Sequence, residues 1–219
     1  MQVKDLISTI NIFNAKIIYD KPEEVMVRIM SGESPLYFIP VEGKERKKYE
    51  ADSNEEFTST TAAIHIIDLS VEGLVNIFEC DGTGIHQFTK QMIEPYCNEE
   101  IQRDIVYVVF LFLHEVGHWI QFEKMNKKVT QFLTKDAELE KENFDKVCSL
   151  MKQQQERINR GNPCGLTVKE RRLFEQYMYE YRNIPKEKEA DEFALSKMRE
   201  VLNLYTKFGL SNVDNDRIQ

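Results

Sequence analysis

Apolar residues run without a break from Ile105 to Leu113, and polar positions return at His114. Set within a helical stretch over residues 98–125, this run predicts a helix buried on most sides. Asn98 is its expected N-cap, with Glu99 and Glu100 in the first turn, where the helix dipole favours acids, and Pro95 just outside. Upstream, short runs at 13–19, 36–39, 62–69 and 74–80 predict strands. A short helix is expected after Pro22, a turn around Glu72 and Gly73, and polar loops at 43–54 and 81–84. Downstream, Phe144, Val147, Cys148, Met151 and Ile158 form a helical stripe within 136–160. After a break at 162–165, Thr167 with Glu170 three residues on forms a capping box. The helix it opens carries the stripe Phe174, Tyr177, Met178 and Tyr181. A last helix is predicted from Pro185 to a C-terminal cap at Gly209, with a frayed polar tail beyond Leu210. The pattern predicts an α+β chain: a small, mostly antiparallel sheet packed on a central helix, then a helical C-terminal half.

At 219 residues the chain suits one domain able to bury a core. A hydrophobic content of 42 % and a charged content of 30 % fit a soluble globular protein. The net charge of −8 argues against nucleic acid or an anionic membrane as main partner. The basic run Lys44, Arg46, Lys47 and Lys48 reads as a solvated loop. The N-terminus lacks a signal peptide's basic and apolar regions, and the longest apolar run is too short for a bilayer. Cys80, Cys97, Cys148 and Cys164 form no Cys-x-x-Cys pair and read as reduced thiols, so a cytoplasmic location is expected.

The chemistry enters where the apolar run ends, at His114-Glu115-Val116-Gly117-His118. Four apart on a helix, His114 and His118 share a face and can direct two imidazoles at one metal ion. Glu115, one step round, is placed to take a proton from water as a general base. Gly117 weakens a helix by roughly 1 kcal/mol, which is understandable where another backbone comes close. A catalytic zinc site usually needs a third protein ligand. His65 and His86 lie upstream and read as strand or loop residues. Glu187 is the better third ligand, because Asp191 follows one turn later on the same face and can accept the outer N–H of a ligating histidine. Glu189 has Phe193 at that later position, and Glu192 has Ser196.

His114-Glu115-Val116-Gly117-His118, followed by Tyr181-Arg182-Asn183-Ile184-Pro185-Lys186-Glu187-Lys188-Glu189-Ala190-Asp191-Glu192-Phe193-Ala194, resembles the ImmA/IrrE family of zinc metallopeptidases. This family is a branch of the gluzincins, to which thermolysin also belongs. The likeness covers about 60–126 and 181–200 and leaves out the first 60 residues. It implies a zincin-like fold, one Zn2+ per chain held by His114, His118 and Glu187, and Glu115 as the catalytic base. It further implies a cytoplasmic, site-specific endopeptidase acting on a protein or peptide substrate, such as a phage-type repressor. The 68 residues between His118 and Glu187 exceed the usual spacing, which makes about 129–182 a helical insertion in a single domain spanning 1–219. Tyr177, Tyr179 and Tyr181 are candidate oxyanion donors. The rival expectation is a non-catalytic, metal-binding regulatory protein on the same fold, against which the intact Glu115 speaks.

Overall fold

The computed structural model describes residues 1–30, 34–51, 56–80, 85–161 and 166–213, without the side chains of 27–30, 79–80, 85–87 and 209–213. The fold is α+β. A three-stranded sheet lies beside a set of helices built around α6 (Arg103–Lys124), whose residues from Ile105 to Leu113 are all buried. The sheet order is β1 (Ile17–Asp20), β3 (Ala63–Ile67), β2 (Leu36–Ile39), so β3 is central. β1 pairs with β3 in parallel, with Ile17 opposite Ile64, while β2 pairs antiparallel, with Phe38 opposite Ile64. The sheet is therefore mixed, not mostly antiparallel.

The expected strand at 74–80 is a helix, α4 (Val71–Cys80). The Ser70 hydroxyl accepts the Gly73 N–H at its start, and Val71, Leu74 and Val75 bury one face at i, i+3, i+4. The turn expected at Glu72 and Gly73 is the first turn of that helix. Another helix, α1 (Val3–Ile10), buries Val3, Leu6, Ile7 and Ile10, an apolar stripe that the sequence displays openly. The loop expected at 43–54 contains α3 (Gly43–Ala51), a helix with no buried residue. It is held instead by Glu45, whose carboxylate accepts hydrogen bonds from the Ser59, Thr60 and Thr61 hydroxyls and from the Thr60 and Thr61 amides. Residues 81–84 and 162–165 lie outside the described residues, as do 52–54 and the tail from 214.

Asn98 does not cap α6. Its side chain accepts the Glu100 and Ile101 N–H groups in a local turn, and Gln102 stands at the N-cap. By length and composition the whole of α6 could span a bilayer, although its unbroken apolar run could not, and 83 % of its most apolar window is buried inside the protein. It is a core helix. After α5 (Ile85–Ile93) and α6 come α7 (Val129–Thr134), α8 (Ala137–Asn159) and α9 (Val168–Arg182), the last opened by the Thr167–Glu170 capping box. On α8 the expected stripe is split: Phe144 is 65 % exposed and Met151 and Cys148 are exposed, while Val147 packs inward, Ile158 is half-buried, and Asn143 and Leu150 are the buried positions. Leu150 meets Phe174 and Met178 of α9 in a small core of their own. Finally α10 (Pro185–Val213) runs through Gly209 instead of ending there, and it makes the most extensive helix packing in the fold, along α6.

Candidate metal centre

α6 and α10 come together closely because two small residues face each other. A Cβ on Gly117 would stand 2.8 Å from the Ala190 Cα and 3.1 Å from its carbonyl oxygen. Glycine is required there by space, and the contact lies between the two histidines on one helix and the acidic turn on the other.

Across it, His114 Nε2 and His118 Nε2 are 3.1 Å apart. Glu187 Oε2 lies 3.3 Å from the former, and Glu187 Oε1 3.5 Å from the latter. Ligands placed tetrahedrally at about 2.0–2.1 Å from an ion are separated by about 3.3 Å, so the donor set fits one cation. His114 and His118 are each 7 % exposed and Glu187 is 4 % exposed; the three form a buried group that could hold a metal ion. Glu189 is exposed and paired with Lys135, and Glu192 is exposed beside Lys188, so neither faces the histidines. Phe193 packs against Phe13.

The outer ring nitrogens are held as ligation requires. Asp191 Oδ1 accepts from His114 Nδ1 at 2.9 Å. His118 Nδ1 lies 3.3 Å from Gln121 Oε1, and the same amide donates to the Lys186 carbonyl at 2.8 Å. With both Nδ1 atoms protonated, both Nε2 lone pairs are left for the centre. Arg182 Nη1 donates to Asp191 Oδ1 at 2.9 Å. The backbone N–H of Lys186 donates to Asp136, its ammonium pairs with Glu140, and its charge lies over the Phe132 ring, so the first turn of α10 is fastened to α7 and α8.

These surroundings set the protonation states. Burial works to lower the His114 pKa, but the Asp191 and Glu187 carboxylates outweigh it and push it up to about 9. Burial would raise Glu187; the two imidazoles reverse this and hold it well below the carboxylate range. Glu115 is hemmed in by protein yet keeps part of its surface open, and burial raises its pKa against the opposing influence of both histidines. Its Oε2 accepts the Phe38 N–H of β2 at 2.8 Å.

Of the three tyrosines, Tyr177 turns to α8, where its carbonyl accepts from Asn143, and Tyr179 is exposed against Phe88. Tyr181 is the one whose hydroxyl feels Glu187 and Glu115; burial first, then Glu187, pushes its pKa well above the usual phenol value. His65 stands apart, its ring between Asp20 and Glu42 and stacked on Tyr37. The His86 side chain lies outside the described residues. Gln121 and Arg182 were not foreseen. Gln121 was readable from its i, i+3 spacing to His118, whereas nothing local marks Arg182. Among known protein families, curated proteins and solved structures, nothing matches the chain.

Proposed function

We propose that the chain is a zinc-dependent endopeptidase. The observation that carries this reading is the buried trio of His114, His118 and Glu187 at tetrahedral spacing, with Glu115 next to it on the same helix. Two imidazoles and one carboxylate are a donor set that suits zinc and leaves one position free. The charge agrees. With both imidazoles neutral, Glu115, Glu187, Asp191 and Arg182 carry a formal −2, which a divalent cation balances. When bound, the ion supplies Lewis acidity for polarising a carbonyl and acidifying water.

Glu115 takes the proton from the attacking water and returns it to the leaving amine, a task favoured by its raised pKa. Tyr181, the tyrosine whose hydroxyl feels Glu187 and Glu115, is the candidate hydrogen-bond donor for the developing oxyanion. Asp191 and Gln121 keep the imidazoles in the ligating tautomer. Because the Asp191 and Glu187 carboxylates favour a protonated His114 in the empty site, metal entry would release a proton. By its resemblance to the ImmA/IrrE family, the substrate is a regulatory protein partner in the cytoplasm, cut at a defined bond.

The deep burial of the ligands, which limits access for a substrate, favours a second reading, a non-catalytic metal-binding regulator. Glu115 separates the two. Elemental analysis of protein purified without added metal is expected to show near one zinc per chain. Glu115→Gln should keep that zinc and lower cleavage of a protein substrate by orders of magnitude. Zinc without any cleavage in the wild type would support the regulator, and a metal-free wild type would end both readings.

A further inference from the structure

We infer that Arg182, the last residue of α9, is a positioning residue of the metal centre, acting through Asp191 on His114. This rests on the reading that His114, His118 and Glu187 hold a metal ion. On α9 the buried face runs Phe174, Met178, Arg182 at four-residue steps, so a guanidinium stands where the pattern calls for another apolar side chain. It is 8 % exposed. Burying a permanent charge is costly unless it is paired and hydrogen-bonded. Here the pairing is partial: Nε has no hydrogen-bond partner among the described residues.

What the guanidinium does make is directed at one oxygen. Nη1 donates to Asp191 Oδ1 at 2.9 Å, the atom that also receives the His114 Nδ1–H at 2.9 Å. The two donors lie 3.3 Å apart and converge on that acceptor. Nη2 donates to Thr89 on α5 at 3.3 Å, and the guanidinium carbon lies 6.0 Å from the centre of the Phe110 ring on α6. Thr89 and Phe110 fix the fork, the fork fixes Oδ1, and Oδ1 fixes the orientation and tautomer of the His114 ring. Unheld, Asp191 would be a buried carboxylate free to rotate beside the three ligands. The segment between α6 and α10 thus contributes the last residue of α9 to the centre.

The test is a double-mutant cycle in zinc affinity, measured on the metal-free full chain by competition with a chromophoric chelator. Asp191→Asn should weaken zinc binding about 10–100-fold, as loss of a ligand-orienting partner does. Arg182→Met should weaken it by about 10-fold. The double variant should bind no more weakly than Asp191→Asn alone, because Arg182 acts only through Asp191. A merely structural role for Arg182 would make the two losses add, and that result would overturn the inference. So would wild-type affinity in Arg182→Met. Should Arg182→Met fail to fold, Arg182→Lys keeps the charge without the fork and is expected to bind several-fold more weakly; unchanged affinity there would overturn the inference equally. A folded wild type that takes up no zinc at all would instead bring down the metal reading itself.

Discussion

A single hydrogen at Gly117 sets how near the two helices that carry the candidate ligands can lie. Alanine there would gain about 1 kcal/mol of helix propensity. It would also drive a methyl group into the Ala190 backbone at 2.8 Å, where nothing flexible can yield. Overpacking of this kind costs about 1–3 kcal/mol. Gly117→Ala should therefore lower the melting temperature of the metal-free protein and weaken its zinc affinity, despite the better helix former. Equal stability and equal affinity would show that α10 shifts aside freely. At this scale much of the centre was legible, because His114, His118, Glu187 and Asp191 are pairs four apart on one helix each, and helical geometry alone sets their faces. Arg182 was not, since its partners Asp191 and Thr89 come from other helices and leave no local spacing to read.

α3 and α4 show what pattern conceals at the level of elements. In α4, Leu74, Val75, Ile77 and Phe78 compose a β-like run, while the helical face is set by Val71, Leu74 and Val75 behind a Ser70 cap. α3 has no apolar face at all, so no periodicity could announce it. Its tether is chemical: hydrogen bonds from Thr60, Thr61 and Ser59 outweigh the opposing effect of burial and lower the Glu45 pKa to about 2. A carboxyl depressed in the folded state contributes stability that is present above its unfolded pKa and lost as pH falls through the folded one. The melting temperature of the wild type should exceed that of Glu45→Gln at pH 6, and the gap should close between about pH 4.5 and 2. A gap independent of pH would mean that the clamp does not depend on the charge of Glu45.

For the molecule as a whole, the α+β class, the helical C-terminal half and the three strands of the sheet were readable, but the order and direction of their pairing were not. β1 joins β3 in parallel across more than forty residues, and nothing short-range encodes such a pairing. α6 organises the rest, with α10, α4, β2, α5, α1 and β3 packed around it. An ion shared by α6 and α10 would join the fold's most extensive helix contact. Zinc at 100 times its dissociation constant should therefore stabilise the wild type by about 2.7 kcal/mol, provided it binds only the folded state. His118→Ala should show little of that gain in a thermal melt with and without zinc; a full gain would place the ion elsewhere. The deep enclosure of the ligands has a consequence of another kind. An ion held by side chains only 4–7 % exposed would have to leave by an opening of the first turn of α10, fastened through Gln121, Asp136 and Glu140, away from α6. Exchange would then be paced by that local opening and not by diffusion, and any metal in a purified sample would record the ions available while the chain folded more than those in the assay buffer.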